Sequence, residues 1–137
     1  MSNLTRFRCW VPSTGTRVME YICGLVLCAF ALNIIFASEI IWEMQGYREF
    51  MSAPVFWYYI LFVVGALQLI TAPMTSARAN RFSAFLLMVA AVILSVFAIG
   101  LYIPTGVNTG VTTYSILAFF ALLAWQHLMS VSIEDEV

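Results

Sequence analysis

Side chains able to do acid–base, metal or nucleophilic chemistry are few here and thinly spread. Glu39 and Glu43 stand one helical turn apart on one face, near the end of an apolar stretch, with Arg48 just beyond. Two carboxylates beside a cation suit cation binding or proton transfer. Glu39 is within a turn of Trp42, an interfacial residue type, so it reaches water and is expected to behave as an interfacial carboxylate. Glu20, one turn inside the other end of the stretch and near Arg17, is expected to be wet as well. The single histidine, His127, follows Trp125 and Gln126 late in the last apolar stretch, where a helix dipole favours it. One histidine makes neither a bis-histidine haem nor a His-based metal centre. Cys9 is far from the others, and Cys23 and Cys28 lie roughly 140° apart around a helix, with no metal-ligand spacing. Acid–base catalysis needs a convergent group of titratable residues. None is expected, nor any cofactor or metal, and the chain reads as a non-enzyme.

Two amides lie deeper. Asn33 and Gln68 are out of reach of water, and lipid cannot solvate them. They are expected to hydrogen-bond across helices, worth about 0.6–2 kcal/mol in a membrane and useful for register. Small residues recur at four-residue spacing: Gly24 with Cys28, Ala29 with Asn33 and Ala37, and Ala91 with Ser95. Such faces let helices approach closely, and those on the first and third spans are expected to offer a surface for association.

These residues must be carried by an unusually apolar chain. Its 137 residues are 63% hydrophobic and 9% charged, with a mean hydropathy of +0.95. Too little polar surface remains to cover a water-soluble globule, which excludes a soluble enzyme, a nucleic-acid binder and a disordered linker. All six basic residues are Arg and the net charge is −1, so no polybasic cluster is present. Four stretches are long enough to cross about 30 Å of hydrocarbon, over about 18–41, 54–72, 81–103 and 113–129. Residues 1–17 read as an interfacial arm, 18–131 as an all-α antiparallel four-helix transmembrane bundle, and 132–137 as an acidic tail. Trp10, Trp42, Trp57, Tyr58, Tyr102, Tyr114 and Trp125 fall near expected ends, as in an aromatic belt. Arg6, Arg8, Arg17, Arg78 and Arg81 lie on one side against Arg48 on the other, which places both termini in the cytoplasm. Glu134, Asp135 and Glu136 would then share a compartment with Arg6, Arg8, Arg78 and Arg81 and could pair with them.

The stretch from Pro104 to Tyr114 has no charge, two glycines and four threonines. Gly106 and Gly110 allow positive φ, and the hydroxyls suit backbone groups of a turn that caps the last helix. With the Arg-bearing arm and the Arg-containing middle loop, this TGVNTGVTTY segment resembles the small four-span membrane proteins of unassigned role encoded by tailed bacteriophages and prophages. That likeness implies a bacterial inner membrane. Glu39 and the run Tyr102-Ile-Pro-Thr-Gly106 are similar to features of the small multidrug-resistance transporters, which implies a dimer around a membrane carboxylate. In this chain, however, the Pro-Thr-Gly element follows the third span.

The expected function is a packed subunit or accessory factor of an inner-membrane assembly. Its partners would be the lipid bilayer and a second copy or a larger membrane complex, with no nucleic acid. The alternatives are a holin-like or channel-forming homo-oligomer and a small dimeric transporter.

Overall fold

A computed structural model describes residues 3–36, 54–74 and 76–134, with side chains over 15–36, 55–74, 76–103 and 106–131. Among these residues the chain is all helical, without strands: α1 is Asn3–Phe36, α2 Pro54–Thr71, α3 Ala77–Thr105 and α4 Thr109–Glu134. Three helices are long and apolar enough to cross a membrane, over Gly15–Phe36, Ala77–Ile103 and Thr109–Val131. The apolar stretch of α2, Val55–Thr71, is shorter. The four comparable spans read from the sequence therefore become three long helices and one short one. At 18 residues, α2 is about 27 Å long, close to the minimum for crossing.

Helix boundaries shift for local reasons. α1 begins at Asn3, so the arm expected as a separate segment continues the helix through Pro12, where one backbone donor is forfeited. α3 begins at Ala77, because the Ser76 hydroxyl accepts from Ala79 N at 3.2 Å and caps the first turn. It runs past Ile103 to Thr105, with Pro104 in its last turn, and ends at Gly106. Gly106 adopts φ +69°, and its N–H donates to Tyr102 O at 2.8 Å. α4 starts at Thr109, earlier than expected, because Asn108 Oδ1 accepts from Val111 N at 2.9 Å. Gly110 is therefore helical, and the Thr112 and Thr113 hydroxyls donate back to the Asn108 and Thr109 carbonyls.

α3 packs most extensively on α4, and α1 on α2; α1 also meets α4 and α3, and α2 meets α3. Each inward face is a stripe of helical period. On α1 it comprises Met19, Glu20, Cys23, Leu27 and Ala31; on α3 it runs through Ser83, Leu87, Ala90, Leu94, Phe97 and Leu101. Leu27, Leu61, Leu87 and Leu94 form the fully buried centre. Between α1 and α2 the backbones nearly touch: a Cβ on Gly65 would lie 2.9 Å from Gly24 O and 2.8 Å from Cys28 Sγ.

One end of this interior is aromatic. Phe30, Trp57, Phe97 and Tyr114 come one from each helix, and Phe97 stands 5.2, 5.5 and 6.1 Å from Phe30, Trp57 and Tyr114. Trp57, Tyr114 and Trp125, which fall near the expected span ends, pack on this interior. Offset and tilted ring pairs at such distances are favourable.

Candidate functional site

The other end is polar. Glu20 lies on the inward stripe of α1, Gln68 three residues before the end of α2, and Ser83 in the second turn of α3. Their exposures are 2%, 0% and 1%. The Ser83 hydroxyl joins the three helices: Ser83 Oγ donates to Glu20 Oε1 at 2.5 Å and accepts from Gln68 Nε2 at 2.8 Å. Thr71, one turn beyond Gln68 and also buried, donates its hydroxyl to the Leu67 and Gln68 carbonyls within α2.

Arg17 closes this end. Its Nη1 donates to Met74 O at 3.0 Å and to Ala72 O, tying α1 to the turn between α2 and α3. A guanidinium at a helix C-terminus meets carbonyls that the helix leaves unpaired and also suits the dipole. The turn is thereby tied to the helix that carries Glu20. Glu20 is thus buried rather than the wet interfacial carboxylate expected. α1 continues back to Asn3 instead of ending there, and the Glu20 carboxylate faces Ser83 of α3, which also holds Gln68 of α2. Glu20 Oε2 and Gln68 Oε1 are both buried without a hydrogen-bond partner.

The other singled-out residues scatter. Glu39, Glu43 and Arg48 lie outside the described residues, as do Asp135 and Glu136; Arg6, Arg8 and Glu134 lie in helices but outside the described side chains. Of the two deep amides, Gln68 hydrogen-bonds across helices, whereas Asn33 faces outward. Asn33 is two residues past Ala31, about 200° around the helix from the inward stripe. Gly24 and Ala91 are buried within the chain, Gly24 against Leu69 and Gly65. Gly24, Cys28 and Ala91, from the small faces expected to mediate association, are thus used for internal packing, whereas Ala29 is exposed like Asn33 and Ala37 lies outside the described residues. Cys28 is half-buried against the Gly65 crossing, and the Ser95 hydroxyl donates to Ala91 O of its own helix at 2.8 Å. Arg78 and Arg81 are exposed near the start of α3. His127 is half-buried in a groove of about 350 Å³ lined by Thr16, Met19, Phe120, Leu123 and Ala124. Among the described residues no three His, Cys, Asp or Glu side chains converge as metal ligands.

Sequence reasoning missed the partnership of Glu20 with Ser83 and the role of Arg17 as a tie. A signal existed: Glu20 lies early in the first apolar stretch, Gln68 late in the second and Ser83 early in the third, so helices that alternate in direction would bring the three together. Comparisons with protein-family models, with curated proteins and with solved structures find no match to this chain.

Proposed function

We propose that the chain is a small non-enzymatic integral membrane protein of a bacterial inner membrane, acting as a packed subunit or accessory factor of a larger assembly. In this reading its four helices form an antiparallel bundle with both termini cytoplasmic. The carrying observation is the interior: from Leu27 and Leu61 to Leu94 and Phe97 it is closed and apolar, and the buried polar side chains gather at one end. Such an interior suits a rigid packing element. Broad apolar faces look outward, including Leu25, Val92, Ile99 and Phe119, available to lipid or to another membrane protein. The Arg distribution supports the orientation. A channel-forming oligomer would want a polar face along one helix, whereas Asn33, Ser95 and Ser115 are spread over three.

The test is particle size in mild detergent, with identification of co-purifying proteins. A homo-oligomer or a defined membrane complex is expected; a partner-free monomer overturns the reading. Reporter fusions after residue 137 and within 104–112 test the orientation, and a C-terminal reporter active only on the periplasmic side overturns it.

A further inference from the structure

At the polar end, two buried acceptors, Glu20 Oε2 and Gln68 Oε1, have no donor. Both head groups meet on Ser83 Oγ, whose single proton goes to Glu20 Oε1 and which takes a proton from Gln68 Nε2. The hydroxyl has nothing left to give. Turning the Gln68 amide over would set a second acceptor against Ser83 Oγ, which has one proton to give, and would orphan an N–H besides. A carboxylate oxygen and an amide oxygen held away from water are costly unless something positive meets them, and charged groups inside membrane spans commonly mark ion or proton sites.

We propose that Glu20 and Gln68 form a binding site for one small monovalent cation, a proton or a sodium ion, between α1, α2 and α3. The charge count favours a single positive charge. The site has one carboxylate, and the Arg17 guanidinium is directed to the Ala72 and Met74 carbonyls rather than paired with it, so one positive charge balances the carboxylate and a divalent ion would leave an excess. The free atoms are hard oxygens, which suit these cations rather than soft transition metals. The surrounding groups are well defined. α1 contributes Arg17 and, one turn on, the buried Cys23, which lies within reach of the Glu20 charge. α2 brings the neutral Gln68 and Thr71, and α3 brings Ser83, with Arg78 and Arg81 exposed. On α4, His127 lies in the neighbouring groove beside Thr16 and Met19.

The test uses the full-length protein in detergent micelles at constant ionic strength, with choline replacing sodium. Tm is followed from about pH 5 to about pH 9, beside infrared carboxyl spectra. A Tm that rises as sodium replaces choline at high pH identifies sodium. A Tm that rises as pH falls in choline, with a protonated-carboxyl band absent from Glu20→Gln, identifies the proton. Glu20→Gln should abolish the response. Gln68→Met, which keeps the carboxylate and nearly the same volume, should weaken the apparent affinity by roughly tenfold and stands in if Glu20→Gln fails to fold. The proposal is overturned if wild-type Tm ignores both sodium and pH. It is equally overturned if the response survives unchanged in Gln68→Met or in a folded Glu20→Gln.

Discussion

At one end of the helices Arg17, Glu20, Gln68 and Ser83 connect α1, α2 and α3 through directional hydrogen bonds. At the other, Phe30, Trp57, Phe97 and Tyr114 connect all four helices through ring contacts. Against lipid the two arrangements carry different costs. Acyl chains are as apolar as a phenyl ring, so the aromatic end gains from close packing rather than from escape from solvent. It tolerates small adjustments. The polar end does not: removing one partner there leaves another stranded, and this makes it the better determinant of register. Between the ends lies the Gly24–Gly65 crossing on which both depend.

Breaking that crossing should have the largest effect. Gly65→Ala sets a Cβ against the backbone oxygen of Gly24, and a loss of about 3 kcal/mol is expected in denaturant titrations in micelles. Gly24→Ala should cost somewhat less, about 2 kcal/mol, because its Cβ would meet the Leu69 side chain first, at 2.7 Å, and the Gly65 carbonyl oxygen only at 3.1 Å. The reverse order would show that backbone approach does not set the crossing. At the aromatic end, Phe97→Ala leaves a cavity but sacrifices little transfer energy in lipid, so about 2 kcal/mol is expected from the same titration.

Arg17→Met tests whether the polar end is an independent unit. The loss of its bonds to the Ala72 and Met74 carbonyls should cost about 1–2 kcal/mol. Hydrogen exchange should quicken over the turn and early α3 while staying unchanged around Phe97. Exchange that rises equally at both ends would dissolve the distinction. Asn108→Ala removes the cap of α4 near the aromatic end and should cost about 1 kcal/mol, seen as faster exchange confined to the first turn of α4. Asn33→Leu changes an outward-facing residue and should leave stability within about 0.5 kcal/mol; a larger loss would mean that Asn33 meets another protein.

Some of this was readable in advance. The turn chemistry around Gly106 was, because a helix stop followed by Asn and Thr has few solutions, although Asn108 rather than the threonines provides the cap. So was the inward role of Gln68, which lipid cannot satisfy. Glu20 was misread and Ser83 passed over, because each is unremarkable within its own helix and acquires meaning through a residue far along the chain. Gly65 went unnoticed for the same reason: its importance lies in what the facing helix places there.

By itself the sequence determined that the chain is helical and belongs in a membrane. Those properties follow from stretches too apolar for water, together with backbone groups that must pair locally where water is absent. Which side of each helix faces inward was decided only in the tertiary structure. In a chain that is apolar on nearly every face, hydrophobicity does not distinguish lipid from protein, so the choice falls to shape and to the few polar groups. The Gly24–Gly65 approach brings α1 and α2 together, Arg17 pins the turn beyond α2, and those contacts carry Glu20 out of water and onto Ser83.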